Sequence, residues 1–139
     1  MPENKKPRKA YRPKRVIKPL NIRNRWLTEG DAHAILLAME GGTFCEQHLA
    51  DLVAHADVAG RIARGRGDDL ADRHCRSLLR VAISIQERNL KTGTIKATDL
   101  EEAAIRASMQ ITMEVMRTAS NQEILQAAEA SLKRMRAPA

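Results

Sequence analysis

Four histidines and two cysteines are the residues of this chain best suited to metal or acid–base chemistry, and all six fall between His33 and Cys75. Cys45 and His48 stand three apart, and His74 adjoins Cys75. Two such pairs facing each other would offer the four N/S ligands of a structural zinc site. The spacing works against it. His48 and His55 are seven residues apart, about 10 Å along a helix, too far to share one ion. Adjacent helical residues such as His74 and Cys75 project about 100° apart, an awkward bite for one metal. The plainer reading is buried free thiols and surface imidazoles, with no metal and no cofactor. Asp51 with His55, and Glu46 near His48, have the look of acid–base pairs, but helix surfaces carry such pairs routinely. No nucleophile elbow, phosphate loop or second convergent carboxylate accompanies them. The sequence points to a protein that is not an enzyme.

The strongest signal is charge. Lys5, Lys6, Arg8, Lys9, Arg12, Lys14, Arg15, Lys18, Arg23 and Arg25 stand against a single acid, Glu3, so residues 1–25 carry +9 in a chain whose total is +7. The remaining 14 Lys/Arg and 16 Asp/Glu leave a body of −2. Such an arm is attracted to nucleic acid, to an acidic protein surface, or to the body of a second copy. On a phosphate backbone an arm neutralising about six to eight phosphates would give the binding constant a steep dependence on salt, and Tyr11 would add one stacking contact. With 2% aromatic residues in the whole chain, a platform that reads bases on rows of rings is excluded.

The arm also has a period. Pro7, Pro13 and Pro19 recur every six residues, each preceded by a cation (Lys6, Arg12, Lys18). Proline biases the residue before it to extended geometry, and three residues per turn of polyproline II would align the prolines along one edge. The arm is expected to be extended and semi-rigid. Tyr11, Val16, Ile17, Leu20 and Ile22 lie among its charges, which predicts that part of it packs on a surface.

Residues 26–139 must supply whatever positions these groups, and their pattern is helical. A short helix over Ile35, Leu36, Leu37 and Met39 is capped by Thr28–Asp31 and stopped by Gly41-Gly42. The capping-box spacing from Thr43 to Glu46 opens a second, with Leu49, Leu52, Val53, Ala56, Ala59 and Ile62 on one stripe, ending by Gly65 or Gly67. Asp68-Asp69 caps a third, with Ala71, Cys75, Leu78, Ala82 and Ile85 inward, ending before Gly93. Thr98 to Glu101 is another capping box. After it Leu100, Ala104, Ala107 and Ile111 share a phase with Leu125, Ala128, Leu132 and Met135. The preserved phase favours one helix from Thr98 to Arg136; a third box, Ser120 to Glu123, favours two. The expectation is an all-α fold, a four- or five-helix bundle carrying an extended basic N-terminal arm.

Two local motifs compete with that reading. Glu46 to Val53 resembles the first helix of a helix-turn-helix, but the turn position holds Ala54, and the apolar stripe runs through it. Arg64-Gly65-Arg66-Gly67 has the form of an RNA-contacting Arg-Gly repeat, yet a single copy followed by Asp68-Asp69 reads as a loop. The longest apolar run, Ala34 to Met39, is too short for a membrane span. No apolar stretch of signal-peptide length follows the basic start. Two cysteines in predicted helices fit a reducing compartment. A cytoplasmic protein without membrane contact is expected. Its thin, Ala-rich core favours a homo-oligomer.

Residues 5–20, and within them Lys9, Tyr11, Arg12, Pro13 and Lys14, resemble the opening of small accessory proteins encoded in phages and prophages of proteobacteria. These begin with a basic K-x-Y-R-P-K segment and continue into an Ala- and Leu-rich helical body. Asp31 to Met39 and Glu46 to Ala59 are similar to that body. The resemblance implies context, an accessory product acting in the bacterial host cytoplasm, and carries over no catalytic or binding residue. Two functions follow as expectations. One is nucleic-acid binding through the arm; the other is modulation or inhibition of a host DNA-processing or defence protein by protein–protein contact.

Overall fold

The computed structural model describes residue 30 and residues 32–136, the side chain of Met135 excepted. Within them the chain is all-α, with five helices and, among the described residues, no strand. α1 spans residues 32–41, α2 Glu46–Arg66, α3 Asp69–Thr92, α4 Asp99–Thr118 and α5 Asn121–Arg136. The expected arm of residues 1–25, and the Thr28–Asp31 cap apart from Gly30, lie outside the described residues.

Each boundary has a local cause. α1 stops where Gly42 takes a φ of 74° and the Thr43 N–H donates to the Ala38 carbonyl at 2.8 Å. α2 begins two residues later than the Thr43–Glu46 spacing predicts, because the Thr43 N–H is already used in closing α1. Cys45 is the N-cap instead. Its N–H donates to His48 Nδ1 at 3.0 Å, and its Sγ lies 3.2 Å from the same nitrogen. Cys45 is therefore exposed and Cys75 buried, so only one of the two thiols is in the core.

Gly67 ends α2 at a φ of 72°, and the Asp68 carboxylate caps α3 by accepting from the Ala71 N–H at 3.1 Å. Gly93 ends α3 at a φ of 75°. At α4 the expected capping box forms, with Glu101 N–H to Thr98 Oγ1 at 3.2 Å and Thr98 N–H to Glu101 Oε1 at 2.8 Å. The open choice between one final helix and two resolves to two. Ala119 is extended, and Ser120 and Glu123 form the third box, at 3.1 and 2.9 Å.

Two apolar cores lie along the bundle. The first joins Ala32, Ile35 and Met39 of α1 to Leu49, Leu52 and Ala56 of α2, Leu78, Ala82 and Ile85 of α3, and Ile105, Met109 and Met113 of α4. The second joins Ala59, Ile62 and Ala63 of α2 to Ala71 and Cys75 of α3, Val115 and Met116 of α4, and Ala119, Ile124 and Ala127 at α5. α2, α3 and α4 thus span both cores, while α1 covers one and α5 the other.

The inward stripe expected for α3 is the buried one in all five positions. The stripe expected for α4 and α5 is not. Leu100 is 84% exposed, Leu125 46% and Leu132 51%; Ala107 is exposed, and Ala104, Ile111 and Ala128 are half-buried. The inward faces are instead Ile105, Ser108, Met109, Thr112, Met113 and Met116 on α4, and Ile124, Ala127 and Ser131 on α5. Polar residues on those faces caused the difference. Ser108 and Thr112 are hydrogen-bonded to histidines of neighbouring helices, and Ser131 to Asp57, so they are buried without an unmet polar cost.

Candidate functional site

The residues assigned to nucleic-acid binding from sequence, Lys5, Lys6, Arg8, Lys9, Tyr11, Arg12, Lys14, Arg15, Lys18, Arg23 and Arg25, all lie outside the described residues. What the structure defines is the body that carries them, and chiefly how its own cations are used.

Most of the body's arginines face carboxylates. Arg66 is the most heavily engaged. Its Nε and Nη2 donate to the two Glu123 carboxylate oxygens at 2.9 and 3.0 Å, while Nη1 and Nη2 donate to Thr118 Oγ1 and the Thr118 carbonyl, each at 3.0 Å. One side chain of α2 thereby holds both the end of α4 and the start of α5. The Arg66 hydrogen bonds and charge hold the Glu123 carboxyl down to about 2. Arg88 donates to Glu101, which also accepts from Ser84 at 2.8 Å. Arg106 pairs with Glu102 at 3.1 Å and Arg117 with Glu114 at 2.8 Å. Arg64 meets Asp72 at 2.9 Å. Both arginines of the Arg-Gly segment are therefore used in holding helices together.

Asp57 and Asp72 each face two arginines: Arg61 at 3.3 Å and Arg134 at 3.8 Å for the first, Arg64 and Arg76 at 2.9 and 3.1 Å for the second. Burial raises the Asp57 carboxyl, but hydrogen bonds from Ser131 and Arg61 and the charges of Arg61 and Arg134 outweigh it, leaving it below the ordinary carboxylate range. The i, i+4 pairs Asp57–Arg61 and Asp72–Arg76 were readable as spacings in the sequence. Their second arginines, arriving from other helices, were not.

The histidines and cysteines divide by role. His55 Nε2 lies 2.8 Å from Thr112 Oγ1, and His74 Nδ1 lies 3.1 Å from Ser108 Oγ. Ser108 and Thr112 are one turn apart on α4, so the two imidazoles, from α2 and α3, form a polar belt where the two cores meet. The Thr112 hydroxyl also reaches the Met109 carbonyl at 3.3 Å. With its hydroxyl proton directed there, Thr112 accepts from Nε2–H, and His55 Nδ1 is left as a buried nitrogen with no partner among the described residues. His55 borders a cleft of about 160 Å³ shared with Asp51, Ala54, Val58, Met116, Ile124 and Ala128. Burial pushes its imidazole down to about 4, so it is neutral near pH 7. Burial also pushes the Cys75 thiol up to about 12, so near pH 7 it is a neutral thiol and a poor nucleophile.

No group of three or more His, Cys, Asp or Glu residues suited to a metal ion occurs among the described residues. His48 instead stacks on Phe44, with ring centroids 5.9 Å apart, and Asp51 accepts from Gln47. α2 runs unbroken through Ala54, so the helix-turn-helix spacing has no turn. No helix of the described residues is long and apolar enough to cross a membrane. No protein-family model matches the chain, and neither does any curated protein or solved structure.

Proposed function

We propose that this is a non-enzymatic accessory protein of phage type, acting in a bacterial cytoplasm, whose basic arm binds nucleic acid and whose helical bundle carries that arm. The observation that supports this reading is the distribution of cations. Ten of the chain's 24 Lys/Arg fall in residues 1–25 against one acid. Among the described residues of the body, eight arginines lie within 4 Å of a carboxylate. Along the sequence the largest excess of positive charge is in residues 1–25, where phosphate contacts would release counterions.

The test is a binding titration of the full-length chain against labelled single- and double-stranded DNA and RNA at several salt concentrations. Arg12→Glu/Lys14→Glu/Arg15→Glu should lower the slope of log K against log[salt] by about 3, near 0.9 for each lost contact on duplex DNA. Helicity should be unchanged. Failure of the wild-type chain to bind at low salt, or an unaltered slope in the variant, overturns the assignment.

A second reading, contact with a host protein or with another copy of the chain, is favoured by the large aliphatic side chains left on the surface. Leu125 and Leu132, seven apart on α5, share one face, and Leu37, Ile83, Leu90 and Leu100 are also exposed. Sedimentation should then show a dimer or larger species that Leu125→Ser/Leu132→Ser converts to monomer. A wild-type monomer at high concentration would remove self-association from the account.

A further inference from the structure

Charge is divided within the body as well as between body and arm. Residues 57–76 and 115–136, grouped around the second core, carry nine Lys/Arg against six Asp/Glu. Residues 32–56 and 77–114 carry five against eight. The excess has a geometric form. Asp57 is shared by Arg61 and Arg134, and Asp72 by Arg64 and Arg76. One carboxylate cannot neutralise two guanidinium groups, so each trio keeps +1. Arg61 and Arg64 stand three apart on α2 and are neighbours on its surface. They join the trios into one ridge that crosses α5, α2 and α3.

The carboxylates lie beneath this ridge and the arginines above it. Asp57 and Asp72 side chains are 11% and 14% exposed, against 75% for Arg134, 59% for Arg76, 45% for Arg64 and 25% for Arg61. A guanidinium has five N–H donors in a rigid fork, and a contact with one carboxylate oxygen leaves most of them unused. The two largely buried acids therefore accept hydrogen bonds from Arg61, Arg64 and Arg76 and lie within ion-pair reach of Arg134, while outward donors and a net positive charge remain. Ordered, spaced guanidinium groups are what a phosphodiester backbone is bound by.

We propose that the ridge of Arg134, Arg61, Arg64 and Arg76 is a second phosphate-backbone contact, so that nucleic acid is held by the folded body as well as by the arm. This rests on the nucleic-acid reading of the arm and extends it to a surface with defined geometry. An acidic protein would meet the same charge, but the pre-ordered forks favour a regularly repeating anion.

The experiment uses full-length protein carrying Arg76→Gln/Arg134→Gln. Each buried carboxylate keeps its other arginine, Asp72 with Arg64 and Asp57 with Arg61, so the thermal midpoint should stay close to wild type. Anisotropy with labelled oligonucleotides of single- and double-stranded DNA and of RNA is read across a salt series. The expected result is a salt slope lower by about 1.8 on duplex DNA, two contacts at 0.9 each. Arg76→Lys/Arg134→Lys, which keeps the charge, should retain most of the wild-type slope. Full wild-type slope in the Gln variant overturns the proposal, as does equal loss in the Gln and Lys variants. A slope lost on the ridge and kept on arm reversal would sink the arm reading alone. Absence of binding by the wild-type protein would sink both.

Discussion

Leu78→Asp should abolish the cooperative thermal transition and most of the helical circular-dichroism signal, whereas Ile111→Asp should leave both in place with a lowered midpoint. Both positions belong to stripes that the sequence marks as inward. Leu78 is 1% exposed, in the middle of α3, and packs in the core shared by α1, α2, α3 and α4. Truncating such a residue to Ala costs about 2–5 kcal/mol. A carboxylate there adds the cost of burying a charge in an apolar core, against a total stability of order 5–15 kcal/mol for a domain. Ile111 lies at the edge of the second core, half-buried. A carboxylate there turns to water, and about 1–2 kcal/mol is the expected cost. Equal damage by the two substitutions would mean that α4 is rotated from the face described.

Lowering the pH from 7 to 4 should remove about 3 kcal/mol of stability through one residue, His55. Its folded-state value is pressed down to about 4 by burial, while in the unfolded chain it titrates near 6.5. The unfolded state therefore takes up the proton first as pH falls. The contribution is complete above about 6.5, is lost progressively towards 4, and changes no further below that. Urea unfolding at half-unit pH steps should show this decline, and His55→Leu should flatten it. A wild-type protein equally stable at pH 6.5 and 4.5 would contradict the burial of a neutral imidazole. The carboxylates act later. Glu123, held down chiefly by its hydrogen bonds with Arg66, contributes above its ordinary range, and that contribution is lost as pH falls from near 4 towards 2. Asp57 and Glu101 are displaced in the same direction.

How much of this was legible depended on whether a residue's role was local. Gly42, Gly67 and Gly93, Asp68, and the Thr98–Glu101 box mark boundaries through their own backbone or a neighbour three residues away, and the structure places helix ends at each. The α3 stripe was legible because its inward face is apolar throughout. The inward faces of α4 and α5 were misread because Ser108, Thr112 and Ser131 look solvent-facing until His74, His55 and Asp57 are brought to them. The break at Ala119 has no glycine or proline. It is supported by Arg66, 57 residues from Glu123 in sequence, and such long-range pairings leave no periodic trace. The same holds for the ridge. Its i, i+4 members are visible along the chain, and the cross-helix arginines that give it excess charge are not.

The division into two cores has a consequence for how the molecule opens. α1 touches only the first core and α5 only the second, while α2, α3 and α4 are committed to both. Either terminal helix can detach without dismantling the packing at the far end, so backbone amides in α1 and α5 have local routes to exchange with solvent. Amides in the middle of α2 and α3 have none short of global unfolding. The order in which protection is lost would then follow membership in one core or two, not distance from the chain ends.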